Sequence, residues 1–200
     1  MTGLVVFIGI PLLFALMSMQ SPFFQNWRFL LALAFSVYIS LWTTAAHGAI
    51  RPFLTGEFAP YAPVISIGGT AVMCYLVLFK IAANLSNHAG EGYHLPGRRS
   101  LFVPAAGVLS GLVMSGMVGY LICISPLHAS VANDASFSEK AVTRLQYLTV
   151  IIDKATFQKV SASDRRRRLM SRVKTLPAPK ETKAPQTEKK DEKTAPETAE

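Results

Sequence analysis

The sequence predicts an all-α membrane protein: four transmembrane helices in a bundle, followed by an amphipathic surface helix and a disordered tail. Three observations predict it. Half of the 200 residues are apolar and only 16% are charged, against roughly 25% charged in a typical soluble protein. The charges are segregated, because residues 1–133 hold seven of the 32. Seven charges cannot solvate the surface of a 133-residue soluble fold. Finally, four apolar stretches match the roughly 20 residues that a helix needs to cross about 30 Å of hydrocarbon. The expected organisation is a membrane bundle over 1–127, an amphipathic helix over 136–161 and a basic, then mixed-charge, disordered tail over 162–200.

The first span covers residues 3–20. No charge and no small-residue cleavage pattern accompanies it, so it reads as a retained helix rather than a signal peptide. Pro11 interrupts it, which lipid tolerates where a neighbour satisfies the freed carbonyl. The second span covers about 29–49, entered through Phe23, Phe24, Trp27 and Arg28, an aromatic and basic interface. The third covers about 62–83, with Lys80 in its last turns, where a lysine can snorkel to the headgroups. The fourth covers about 101–125, with Pro104 expected in its first turn, where a missing N–H costs little.

The fourth span carries the most specific pattern. Gly107, Gly111, Ser115 and Gly119 recur every four residues. Such a stripe lets another helix approach closely in lipid, where van der Waals packing replaces the hydrophobic effect. The partner is another span of this chain or another copy.

Beyond the spans, Phe137, Ala141, Leu145, Leu148, Ile152 and Ala155 form one face of a helix. Ser136 and Glu139 match a capping box at its start. Arg98 and Arg99 precede span four. Arg165, Arg166, Arg167 and Arg168 open the tail, and basic clusters of this kind meet anionic headgroups. Residues 177–200 lack any large apolar residue and are expected to be disordered.

The chemistry of a catalyst is not in view. Ser110 and Ser115 lack the Gly-x-Ser-Gly spacing of intramembrane serine proteases, and His47 sits at a span end rather than mid-span. His88, Glu91 and His94 are zinc-type residues on a glycine-rich loop without a further ligand nearby. Cys74 and Cys123 lie in apolar stretches and read as small hydrophobes. No cofactor, metal or catalytic residue is expected. Ser36, Ser40, Thr43 and Thr44 would suit the lining of an oligomeric channel, although such hydroxyls more commonly bond to their own helix. Nucleic acid is an unlikely partner, because no aromatic residues interleave with the arginines.

In order and spacing, residues 3–160 resemble the colicin V production (CvpA) family of bacterial inner-membrane proteins. The resemblance lies in a short first span followed at once by a second entered at Arg28, the loop RPFLTGEFAPYAP, the basic loop HLPGRRSLF and the glycine-striped GVLSGLVMSGMVG before an amphipathic helix. The family's acidic residue near the start of span one is absent, as is the Arg-Gly after it. Leu4-Val5-Val6 and Met19-Gln20-Ser21-Pro22 stand there instead. The resemblance implies a multi-pass protein of the bacterial inner membrane, non-enzymatic and accessory to toxin production or export or to envelope homeostasis. It also implies cytoplasmic loops one and three, with both termini outside. The expected partners are membrane lipids and a second copy or another membrane protein. The alternatives are a small oligomeric channel or transporter subunit, and an anchor recruiting a partner through its basic tail.

Overall fold

A computed structural model of the chain describes residues 2–19, 23–42, 56–88, 99–127, 135–158 and 160–174. Those residues form six helices and no strand. We number them α1 (2–19), α2 (Phe23–Trp42), α3 (Ala62–His88), α4 (Arg99–Ile124), α5 (Ala135–Ala155) and α6 (Ala162–Lys174). A 3-10 turn, Gly56–Tyr61, leads into α3.

α1 contains a π-helical turn, Val5–Gly9, in which the Ile10 N–H reaches back to Val5 O. The turn sits just ahead of Pro11. A proline ring clashes with the carbonyl four residues back and offers it no N–H. One extra residue per turn relieves that clash. At the other end of α1, the Asn26 amide donates to Ser18 O at 2.8 Å, which satisfies one of the orphan carbonyls of a helix C-terminus and ties α2 to α1.

Two helices are long and apolar enough to cross a membrane, Phe58–Leu85 and Pro104–Ile124. That is fewer than the four spans expected. The apolar run of α1, Val5–Met19, is shorter than this standard. α2 is described only to Trp42, so its run from Phe29 covers roughly 20 Å at 1.5 Å per residue.

α1 runs antiparallel to α4: its Phe7 lies against Gly119 and its Ser18 against Gly107. α2 packs between α3 and α4, with Leu33, Val37 and Leu41 meeting Ile67, Ala71, Met117, Tyr120 and Ile124 in the main core. α5 begins against α1, where Phe7 and Phe137 have ring centroids 5.0 Å apart. It passes over Gly116 of α4 and reaches Tyr38 of α2. The expected apolar face is largely the packed one: Phe137, Ala141, Leu145 and Ile152 are buried, whereas Ala155 is exposed.

Several local expectations are corrected. Pro104 is the sixth residue of α4, because the helix already begins at Arg99. Ser136 lies within α5, which begins at Ala135, so it does not occupy the cap position. α5 ends at Ala155 rather than 161. Gln158 N–H bonds Asp153 O at 2.8 Å and Phe157 N–H bonds Lys154 O at 3.3 Å, the paired bonds of a Schellman motif. Phe157 takes the left-handed position at φ 58, which glycine usually occupies. The largest correction is the tail. Residues 162–174, expected to be disordered, form α6, and its Leu169 is 1% exposed in the main core. The arginine run masked an apolar triplet: Leu169, Met170 and Val173 lie on one side of the helix and pack on the bundle. Residues 175–200 lie outside the described part.

Candidate functional site

The polar chemistry of the described chain gathers where α5 and α6 meet the bundle, around two arginines. The first is Arg144. Its guanidinium donates to Phe7 O at 2.9 Å and to the Ser115 hydroxyl, and lies 4.8 Å over the Phe7 ring. Phe7 O is the carbonyl that Pro11, four residues on, cannot serve. Arg144 therefore supplies the donor that the proline removes, from another element of the same chain. Ser115 also donates to Leu112 O, so its hydroxyl is used in both directions. Burial lowers the Arg144 pKa from its usual value.

A test follows. Arg144→Met leaves the Phe7 carbonyl buried without that donor, and should destabilise the protein by about 1–3 kcal/mol. Pro11→Ala restores an N–H to α1. The double variant should recover part of the loss in thermal unfolding in detergent. Equal losses with and without Pro11→Ala would separate Arg144 from the proline.

The second centre is Arg165, 6% exposed, paired with Asp153, 2% exposed. Nε meets one carboxylate oxygen and Nη2 the other, each at 2.7 Å. The Tyr38 hydroxyl donates to the same carboxylate at 2.6 Å, and the guanidinium lies 4.0 Å over the Trp42 ring. α2, α5 and α6 thus converge on one bidentate ion pair, the strong form of charge-assisted hydrogen bonding. Burial pushes the Asp153 carboxyl up, but the hydrogen bonds from Arg165 and Tyr38 and the guanidinium charge outweigh it, leaving its pKa below the usual value. Two turns of α6 later, Arg172 donates to Leu41 O at 2.7 Å. A cation there satisfies a terminal carbonyl of α2 and complements its dipole.

The tail arginines therefore divide. Arg165, expected at the lipid interface, is a buried structural residue instead. A guanidinium between a carboxylate and an indole is held more tightly than one in water. Arg166 pairs with Glu139 at 2.7 Å on an exposed surface, a contact of little energetic weight. Arg167 and Arg168 are exposed.

In the small-residue stripe of α4, Gly107 and Gly111 face α1, Gly119 meets both α1 and α5, and Ser115 accepts from Arg144 of α5. A Cβ on Gly107 would lie 2.5 Å from Ser18 Cβ and 2.7 Å from Phe14 O, and one on Gly111 would overlap the Pro11 Cα. One on Gly119 would meet Phe7 Cε1 and Ala141 Cβ at 3.2 Å. Of the expected interface residues, Trp27 is half-buried, Arg28 lies 5.2 Å over the Phe79 ring and Lys80 is exposed. Arg98 and the Arg99 side chain fall outside the described residues. So do Thr43, Thr44 and His47, and the side chains of His88, Glu91 and His94. Ser36 and Ser40 donate to Leu33 O and Val37 O of their own helix, each at 2.8 Å. Ser110 likewise donates to Ala106 O.

Sequence reasoning missed Arg144, Asp153, Tyr38 and Arg172. One signal was available, since a proline inside an apolar helix requires a donor from elsewhere. The Asp153–Arg165 pairing left no trace in either segment alone. Compared with known protein families, with curated proteins and with solved structures, the chain matches none.

Proposed function

We propose that this chain is a non-enzymatic accessory or assembly protein of a bacterial inner membrane, crossing it four times and carrying α5 and α6 as a basic cap packed along the C-terminal half of α4. The observation that carries the reading is the outer face of α3. Within Phe58–Leu85, only 17% of the most apolar window is buried by the rest of the chain. Val72, Met73, Leu76, Val77 and Ile81 are all at least half exposed. The core helix of a soluble protein would be covered by protein; this one needs lipid. α1 adds Leu4, Leu12, Leu13 and Leu16 to the same apolar exterior. Because α1 follows α4 from Gly119 to Gly107, it shares the depth of a helix long enough to span. α2 is held between α3 and α4 and goes with them.

A non-enzymatic role is supported by how the polar groups are used. Ser36, Ser40 and Ser110 donate to carbonyls of their own helices, and Ser115, Arg144 and Asp153 are engaged in bonds between helices. The order of elements that resembles the CvpA family points to the same class, with a role in toxin production or export or in envelope homeostasis. The exposed Arg167 and Arg168 favour a second reading, in which α6 is an anchor platform for an acidic partner or for anionic headgroups.

Two measurements test this. The chain should remain with membranes in alkaline carbonate; release would sink the membrane reading. In a Cys74→Ala/Cys123→Ala background, Ser163→Cys places one thiol at the exposed start of α6. Labelling of intact cells by a membrane-impermeant thiol reagent puts the cap outside and supports the accessory reading. Labelling only after lysis puts it inside and favours the anchor.

A further inference from the structure

α3 leans on α2 and diverges from α4, leaving a slot of about 350 Å³ between the three helices. Leu33 and Val37 of α2, Ala71 and Tyr75 of α3, and Met117 and Leu121 of α4 line it, and the lining it exposes is wholly apolar. Val72 also lines it and is 58% exposed, so the slot is continuous with the apolar exterior of α3. Water is a poor occupant, because a buried water needs two to four polar partners. Left unfilled, the lining atoms would forfeit their dispersion contacts on one side.

One end of the slot is aromatic and then cationic. Phe29 meets Tyr75 edge-on at 5.6 Å, and Tyr75 stacks on Phe79 at 5.6 Å. The Arg28 guanidinium lies 5.2 Å over the Phe79 ring. Lys80 is the next residue of α3 and is exposed. The sequence of α1 to α4 contains these two bases and Arg99, and no acid. An apolar slot whose aromatic end leads to the Arg28 guanidinium, with Lys80 one residue beyond Phe79 along α3, matches a molecule with a long hydrocarbon body and an anionic head. Size agrees: a cavity of about 150 Å³ takes a benzene, so this one takes roughly a dozen carbons.

We propose that the slot between α2, α3 and α4 holds one acyl chain of an anionic phospholipid, with its phosphate bound by Arg28 and Lys80. The proposal rests on the membrane reading above. The bilayer supplies this occupant at high local concentration. The headgroup charge selects which lipid stays, since a base near a membrane surface favours anionic lipid by about fivefold.

The test uses the full chain, purified in mild detergent and titrated with phosphatidylglycerol or phosphatidylcholine of the same chain length, with retained lipid counted by native mass spectrometry. One phosphatidylglycerol should be retained, about twenty-five-fold in preference to phosphatidylcholine for two bases. Lys80→Gln, an exposed change that leaves the fold intact, should reduce that preference about fivefold. Val72→Trp, which fills the slot from its open side, should abolish retention of both lipids. Equal retention of the two lipids by the unaltered chain overturns the proposal, as does unchanged retention in Val72→Trp. A chain released by alkaline carbonate overturns the membrane reading and this proposal together. A chain that stays in the membrane yet shows no preference overturns this proposal alone.

Discussion

Gly111→Leu is expected to destabilise the bundle by about 3 kcal/mol or more, at the upper end of overpacking substitutions. The reason is what the new side chain meets. At most overpacked sites a neighbouring rotamer can yield. Here a Cβ would overlap the Cα of Pro11 and come within 3.1 Å of its nitrogen. Backbone can retreat only if α1 moves off α4 as a unit. That movement would also draw Phe7 away from Arg144, so two contacts are lost together. For a chain of this size the midpoint should fall by about 6–12 °C, read by thermal unfolding in detergent. Gly69→Ala is the matched control, because nothing lies within 4 Å of its Cβ position. It should leave stability unchanged or raise it by about 0.5–1 kcal/mol, the usual gain from glycine to alanine within a helix. Equal midpoints for Gly111→Leu and the unaltered chain would show that α1 does not seat on α4.

Asp153→Ala should release α6. Removing one partner of a buried ion pair costs about 3–5 kcal/mol, because the remaining charge stays buried and uncompensated. Arg165 would be left against Trp42 with its carboxylate gone, and the simplest relief is to swing α6 into solvent. Leu169 travels with it, so a cysteine at that buried position should become reactive to a thiol reagent. The paired replacement Asp153→Leu/Arg165→Met should recover much of the loss, since apolar residues of similar volume often substitute well for a buried pair. A cysteine at 169 that stays protected in Asp153→Ala would show that the pair does not hold the helix.

Acid should act on the same latch. The Asp153 carboxyl has a depressed pKa in the folded chain. A depressed carboxylate contributes stability that is complete above its unfolded value, about 3.9, and that disappears as pH falls through its folded value. Docking of α6 should therefore be constant from pH 7 to pH 5 and weaken below about 4. Trp42 lies under the Arg165 guanidinium and reports the change. In a Trp27→Phe background its emission should shift on acidification below that point and hold steady above it. A shift centred near neutral pH would assign the response to some other group.

Much of the bundle was legible in the sequence, for reasons that act locally. Uncharged apolar runs marked the cores of α1 to α4, because a long apolar stretch without turn residues reads as a helix from its own residues alone. Pro11 announced that α1 needed help from a neighbour. The four-residue recurrence from Gly107 to Gly119 marked a face made for close approach, though not which helix would take it. The buried side of α5 was visible in the spacing of Phe137, Ala141, Leu145 and Ile152. α6 was less visible because four successive arginines outweigh Leu169, Met170 and Val173 in any reading by composition.

What the sequence alone determined is helical character and the division between apolar and charged parts. Both follow from the solvation of each residue and its near neighbours, so a window of some twenty residues contains the information. Only the tertiary structure decided that Arg144 would answer Pro11 from 133 positions away, that the stripe of α4 would receive both α1 and α5, and that one arginine of four would be buried. Those outcomes depend on which surfaces meet. A buried guanidinium is stable only where a carboxylate, a carbonyl or an aromatic face arrives from another element, and no property of Arg165 or Asp153 taken singly distinguishes the pair from a solvated one.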